Sequence, residues 1–255
     1  MSHSISVLMC SNKFDDKFQK SVNSILDQTF TDFEFIIVAN GIANDTYRTM
    51  ESFCSDKRII LVRTTLKGLP VNLNVGLSYC KSKLVCRMDA DDIAYVDRLE
   101  TLFRYMEENP EVIVCGSAYD VIDELGKVIN SVVPVQSNLD IRLALYYKNP
   151  FCHPSIIIRR TNIDQHGGYS NYRFAQDYEL WLRLSDEKNI RFANLPKKLL
   201  GYRNTGAEAR GAVKAYMLVA DAYFHKLIRS GNPIYIFSTI IYLIKAIFKK
   251  IAMLL

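Results

Sequence analysis

From Ile5 onward, short apolar runs alternate with stretches in which apolar residues recur at helical spacing. Ile5 to Cys10 and Phe33 to Ala39 have the length and composition of strands buried on both faces, and between them Phe18, Val22, Ile25 and Leu26 fall on one helix face. The same pattern predicts a helix over Asp45 to Cys54 and a strand over Arg58 to Arg63. A helix opened by its proline follows over Pro70 to Cys80, then a strand over Lys83 to Met88. This alternation implies βαβ units and hence an α/β fold, with a parallel sheet covered by helices. In such sheets ligands bind at the carboxyl ends of the strands.

The pattern changes after a helix from about Val96 to Glu108, which Asn109-Pro110 stops. Val112 to Ile122 and Lys127 to Val133 are β-rich, and Asp123-Glu124-Leu125-Gly126 between them reads as a hairpin turn. A helix near Leu139 to Tyr147, a strand over Ser155 to Arg159, a turn at Gly167-Gly168 and a helix near Tyr178 to Leu184 complete the series. With no internal repeat or low-complexity linker, the expected organisation is one mixed α/β domain over residues 1–205 and a helical extension over 206–255.

Composition narrows the class. The chain has 255 residues, 49% hydrophobic and 23% charged, which is ordinary for a globular protein. A net charge of +5, with no basic stripe interleaved with aromatics before the C-terminus, argues against nucleic acid as a partner. Six scattered cysteines without a C-x-x-C pair read as small buried hydrophobes in a reducing compartment. The opening residues carry no secretory pattern, so cytoplasmic residence is expected.

The chemistry concentrates at Asp89-Ala90-Asp91-Asp92, which follows an apolar strand run. Carboxylates this close repel one another unless a cation or ligand gathers them, and a hard divalent ion such as Mg²⁺ or Mn²⁺ is the usual remedy. A solvated acidic turn capping the next helix is the plainer alternative. A calcium loop counted from Asp89 fails, because its glycine position holds Ala94 and an oxygen-ligand position holds Ile93. Asp97 and Glu100 better suit the first turn of the following helix. The chain lacks both glycine-rich phosphate motifs, G-x-x-x-x-G-K-[ST] and G-x-G-x-x-G. A bound nucleotide's phosphate charge would therefore need a metal at the strand end, held by Asp91 with Asp89 or Asp92.

Over residues 4–205 these features resemble the family 2 glycosyltransferases of GT-A fold, in particular bacterial O-antigen and capsule enzymes. The resemblance rests on Ile5 to Met9, Ser24 to Phe30, Asp32 to Phe35, Leu73-Asn74-Val75-Gly76-Leu77 and Arg87 to Asp92. It continues through Pro150-Phe151-Cys152-His153-Pro154, Gly167-Gly168-Tyr169 and Gln176 to Trp181. It implies a Rossmann-like, mostly parallel mixed sheet and an inverting hexosyltransferase that uses a nucleotide sugar, with a UDP-sugar as the expected donor. Asp89 would meet the donor and Asp91 the metal, Mn²⁺ or Mg²⁺, while Asp92 is either a further ligand or an anchor of the loop. Asp177 corresponds to the family's base, with Gln176 where a Glu is usual and Glu179 in reserve. Ser11, Asn12, Asn40 and Arg87 become donor-side candidates, although Ala39-Asn40-Gly41-Ile42 departs from the family's acidic turn. His153, Tyr178 and Trp181 are acceptor-side candidates, and Tyr202-Arg203-Asn204-Thr205 resembles the family's terminal segment without its histidine.

The end of the chain is apolar from Ile234 to Leu255 apart from Ser238, Thr239 and three lysines, Lys245, Lys249 and Lys250. The uncharged run Ile234 to Ile244 is too short to span a bilayer, which takes about 20 residues. Residues 234–255 read as a helix lying on the inner face of the cytoplasmic membrane, or alternatively as a core or dimer helix. A surface helix suits a glycan acceptor carried on polyprenyl diphosphate. Three other readings stay open: transfer from a dTDP-sugar (rhamnosyl transfer), nucleotidyl transfer, and a non-enzymatic, membrane-peripheral role in polysaccharide assembly.

Overall fold

A computed structural model describes residues 3–204 and 207–253, including the side chains of all but 207–210. The first half runs β1 (Ile5–Ser11), α1 (Asp16–Leu26), β2 (Phe33–Asn40), α2 (Asn44–Phe53), β3 (Ile59–Thr64), α3 (Leu69–Tyr79) and β4 (Leu84–Asp89). Then come β5 (Ile93–Ala94), α4 (Arg98–Glu108), β6 (Val112–Ile122), β7 (Val128–Val132) and α5 (Asn138–Ala144). A 3₁₀ turn (His153–Ser155) leads into β8 (Ile157–Arg159), α6 (Arg160–Gln165), α7 (Gln176–Leu184) and β9 (Arg191–Arg203). Two long helices close the chain, α8 (Ala207–Ser230) and α9 (Ile234–Ala252). Thr205, part of the terminal segment noted above, lies outside the described residues, as do Leu254 and Leu255 of the tail.

The strands form one nine-stranded sheet in the order β3-β2-β1-β4-β8-β6-β9-β5, with β7 pairing β6. The β3-β2-β1-β4 half is parallel throughout. β8 runs antiparallel to both β4 and β6, and β9 runs parallel to β6. All seven residues of β1 are buried, because helices cover both faces of the sheet. Leu8 and Cys10 point into the core shared with α3, α7, α8 and α9, whereas Ile5, Val7 and Met9 pack toward α1 and α4. Gly76 lets α3 approach the sheet closely: a Cβ there would lie 2.2 Å from Leu8 Cδ1.

The strand order turns back between β1 and β4, where Cys10 pairs with Asp89. At this switch point the segments after β1 and β4 frame a crevice at the strand ends. It holds Ser11 and Asn12 on one side and the acidic segment on the other.

Two strands escape the sequence pattern. β5 has two residues, too few for periodicity to register. β9 has thirteen, but Pro196-Lys197-Lys198 interrupts its apolar alternation. The pairing shows why: Ser117 opposes Leu195 while Ala118 opposes Lys198, so two extra residues bulge out of β9. Lys197 then pairs with Asp97, and Lys198 with Asp120 at 2.7 Å.

The last helix is reversed relative to an ordinary surface helix. Ser238, Tyr242 and Ala246 are its buried residues, while Phe237 is 61% and Phe248 68% exposed, alongside Ile240, Ile244, Ile247 and Ile251. Among the described residues no helix is long and apolar enough to cross a membrane.

Candidate active site

Two cavities meet at Asp89. The first, about 370 Å³, is walled by Ser11, Asn12, Lys13, Lys17, Asp89, Asp91 and Glu124. The second, about 670 Å³, is walled by Asp89, Asn149, His153, Asp177 and Tyr178 together with residues of α8 and α9. Asp89 lines both, so a molecule in one cavity faces a molecule in the other across this carboxylate.

The three acidic residues have separate tasks. Asp89 forms an ion pair with the buried guanidinium of Arg87, and Ser21 Oγ donates to its carbonyl at 2.8 Å. Asp91 lines the first cavity, its carbonyl accepting from Arg203 Nε at 2.7 Å. Burial, and then the charge of Asp89, raise the Asp91 pKa above the ordinary carboxylate value. Asp92 is wholly buried and its Oδ1 accepts from the Arg203 amide at 2.7 Å. It lines neither cavity, and through this bond it ties the acidic loop to the end of β9. Arg203 also donates to the carbonyls of Asp123 and Glu124, bolting the end of β9 to the acidic loop and to the β6–β7 turn.

Asp177 sits at the start of α7, where helix N-terminal amides suit a carboxylate. Asn149 Nδ2 donates to its Oδ2 at 2.7 Å. Desolvation raises the Asp177 pKa more than these hydrogen bonds lower it, and the charge of Asp89 adds to the rise. The residue before α7, Ala175, has φ 58°, the only non-glycine in the left-handed region among the described residues. Backbone strain of this kind persists where surrounding structure over-determines it, and here it aims the first turn of α7 into the cavity.

His153 is held through Tyr169 by α3. Asn74 clasps the backbone of Tyr169 through two 2.8 Å hydrogen bonds, and the Tyr169 hydroxyl meets His153 Nε2 at 2.9 Å. Burial, and then the positive charge of Arg87, hold the His153 pKa well below its usual value, so the ring is neutral. It lines the second cavity as an uncharged contact. Gly168 fits beside this clasp at φ 74°, with room for no Cβ.

Several expected site residues stand elsewhere. Arg87 is 1% exposed and reaches the site only through Asp89, which removes it as a direct donor contact. Glu179 is consumed by Arg183, at 2.7 Å, and by Ser170, and it lines neither cavity, so it is not placed to act as a base. Trp181 is fully buried against Phe151, with ring centroids 5.2 Å apart, and supports the cavity wall from behind rather than facing it. Tyr178 does border the cavity, but its hydroxyl donates to the Leu145 carbonyl and meets the Tyr242 hydroxyl at 2.6 Å, tying α7 to α9. Ser11 lines the first cavity while its hydroxyl closes a turn with the backbone of Lys13. Asn12 is exposed on the wall of that cavity. Asn40 ends β2 outside both cavities, next to a recess formed by Gly41, Ile42, Arg63 and Thr64.

Sequence reasoning passed over Asn149, Ala175, Arg98 and Arg203 as functional supports. Arg98, fully buried, donates from Nη2 to the carbonyls of Arg87 and Pro154 at 2.6 Å each, joining the end of β4 to the His153 turn. The signal it left was an arginine in the first turn of a helix, where a basic residue opposes the dipole.

Comparison with known proteins agrees with this architecture. The family described as Glycosyl transferase family 2 matches residues 6–168. O-antigen biosynthesis glycosyltransferase WbnJ of Escherichia coli is 32% identical over 96% of this chain and 97% of its own length. A UDP-Gal:alpha-D-GlcNAc-diphosphoundecaprenol beta-1,3-galactosyltransferase of Escherichia coli is 29% identical over 81% of this chain and 76% of its own. Among solved structures, the mannosyltransferase PcManGT of Pyrobaculum calidifontis, in complex with GDP-Man and Mn²⁺, superposes with a TM-score of 0.69. That match is 15% identical and covers 99% of this chain and 75% of the other, and it identifies the fold as GT-A. With the family matched across most of its sheet and a relative aligned along nearly its whole length, this chain belongs to the family 2 glycosyltransferases.

Proposed function

We propose that this chain is an inverting hexosyltransferase of bacterial surface-polysaccharide synthesis, moving a hexose or N-acetylhexosamine from a UDP-sugar to a sugar carried on polyprenyl diphosphate. The observation that carries the reading is the position of Asp89 in the walls of two cavities, with Asp91 in one and Asp177 in the other. The donor's nucleoside diphosphate occupies the first cavity and the acceptor sugar the second. The printed activity of the galactosyltransferase relative supports both the UDP-sugar and the lipid-diphosphate acceptor.

Asp177 accepts the proton of the acceptor hydroxyl as that oxygen bonds to the anomeric carbon. The bond from that carbon to the diphosphate breaks, and its electron pair leaves with the nucleoside diphosphate. Entry from the second cavity and departure into the first accord with a single in-line displacement, which inverts the anomeric carbon. Neutral His153 orients the acceptor without competing for the proton.

Asp91 and Asp89 are the residues that would hold Mn²⁺ or Mg²⁺. The donor set fits such an ion: Asp91, whose charged form burial and the neighbouring Asp89 disfavour, shares the wall of the first cavity with Asp89, leaving positions for phosphate oxygens and water. The bound ion would supply Lewis-acid stabilisation of the charge growing on the leaving diphosphate. Mn²⁺ in the complex of PcManGT accords with this.

The apolar exposed side of α9, flanked by Lys249 and Lys250, suits the surface of an anionic membrane, where the lipid acceptor resides. The test is incubation with a panel of UDP- and dTDP-sugars, divalent metal and a GlcNAc-diphosphate lipid, with the product identified by mass and its anomeric configuration by NMR. Release of nucleoside diphosphate and a product of inverted configuration are expected. Release of pyrophosphate would indicate nucleotidyl transfer instead, and absence of any sugar transfer across the panel would leave only a role in assembly.

A further inference from the structure

The acceptor cavity extends well beyond Asp177, and its outer part carries charge for which catalysis has no use. Lys148, Arg173 and Lys245 all line it, and none of them forms an ion pair among the described residues. Among the described residues the only carboxylates in the lining are Asp89 and Asp177, at the reacting end.

Each of the three cations rests against an aromatic ring, and Lys245 Nζ also donates to the Tyr147 carbonyl. Lys148 Nζ lies 5.8 Å from the Tyr147 ring, the Arg173 guanidinium 5.8 Å from Phe174, and Lys245 Nζ 4.7 Å from Tyr242. Such contacts position a cation while leaving its charge free to meet an anion. Lys245 is partly buried, and desolvation lowers its pKa, a cost that a bound anion would offset. Lys148 is the chain neighbour of Asn149, whose amide holds Asp177, and both line this cavity. Lys245 lies on α9 next to Ile244, Ile247 and Phe248, which are exposed to solvent.

We infer that Lys148, Arg173 and Lys245 form a subsite for the diphosphate of a lipid-linked acceptor, with the sugar inward at Asp177 and the lipid chain leaving along the apolar side of α9. This rests on the lipid-diphosphate acceptor proposed above and adds how that acceptor is recognised. An acceptor sugar without the diphosphate would fit the inner cavity and leave the three cations unused.

The test compares two probes, octyl-diphosphate-linked GlcNAc and octyl N-acetylglucosaminide, in calorimetric binding and in transfer assays. The proteins are the full chain and its Lys148→Ala/Arg173→Ala and Lys245→Met variants. Lys148 and Arg173 are exposed, and methionine keeps the apolar stem of Lys245, so circular dichroism should match the parent. Charge-assisted contacts to phosphate predict about a tenfold or greater loss of affinity, and a matching rise in KM, for the diphosphate probe only. kcat and the affinity for the simple glycoside should not change. Equal affinity of parent and variants for the diphosphate probe, or equal losses on both probes, would overturn the subsite. Selective loss of diphosphate binding without transfer to either probe would uphold the subsite and count against the proposed reaction.

Discussion

Asn149 donates a 2.7 Å hydrogen bond from its side-chain amide to Oδ2 of Asp177, joining the loop after α5 to the first turn of α7 in the wall of the second cavity. The bond favours the ionised carboxylate, whereas burial and Asp89 favour the protonated one, and the second influence prevails. The proposed base therefore takes up its proton at a pH above the ordinary carboxylate range, which brings proton affinity closer to the working pH.

Removing that bond should move the acid limb of activity in a defined direction. The N–H stabilises the charged form, so Asn149→Ala raises the Asp177 pKa further. The acid limb of kcat/KM for the acceptor, measured at saturating donor, is expected to shift upward by about one pH unit. A downward shift would contradict the role of Asp177 as the group that must be ionised.

The proposed base and the proposed metal ligand should separate in their phenotypes. Asp177→Asn is expected to lower kcat by about 10²–10⁴-fold while donor binding measured by calorimetry stays within about twofold of the parent. Asp91→Ala should instead abolish the increase in UDP affinity on adding Mn²⁺. Near-parental turnover of the Asp177 variant would remove it from the chemistry.

Backbone geometry near the site predicts opposite responses to two small substitutions. Gly168→Ala places a Cβ 2.6 Å from Asn74 Oδ1 at a φ of 74°, breaking the clasp on Tyr169 that positions His153. A destabilisation of about 1–3 kcal/mol in urea unfolding is expected. Ala175→Gly relieves the left-handed residue before α7 and should raise stability by about 0.5–1 kcal/mol. The same change should lower kcat by loosening the turn that carries Asp177.

The apolar side of α9 can be tested apart from catalysis. Phe237 and Phe248 are mostly exposed, so Phe237→Glu and Phe248→Glu should leave the fold and the simple glycoside assay unchanged. In flotation with vesicles containing anionic lipid, the parent chain is expected to rise with the vesicles and the double variant to stay behind. Equal flotation of both would remove the membrane role of this side.

Much of the fold was legible along the chain because its first half is doubly covered sheet. Strands buried on both faces must be continuous apolar runs, and the helices between them need one apolar stripe, so β1 to β4 and α1 to α3 declare themselves within a residue or two. β9 did not, since its bulged Pro196-Lys197-Lys198 is stabilised by partners such as Asp97 and Asp120, which are distant in sequence. The acidic segment was legible as a site but not in its division of labour. Whether a carboxylate faces a cavity, as Asp91 does, or a backbone amide, as Asp92 does, depends on how Arg203 returns along β9. Glu179 and Trp181 looked suited to chemistry by residue type, but helix direction turns one toward Arg183 and the other into the core.

The sequence by itself determined the alternating βαβ layers, the strand-end position of Asp89 to Asp92 and the likeness to a known family, because local periodicity and short motifs carry that information. Only the tertiary structure decided that Asp89 borders two cavities, that Asn149 and a strained Ala175 set Asp177, and that α9 packs through Ser238, Tyr242 and Ala246 with its apolar side outward. Those outcomes depend on contacts between residues far apart in the chain, where desolvation and shape select among several faces that local sequence leaves equivalent.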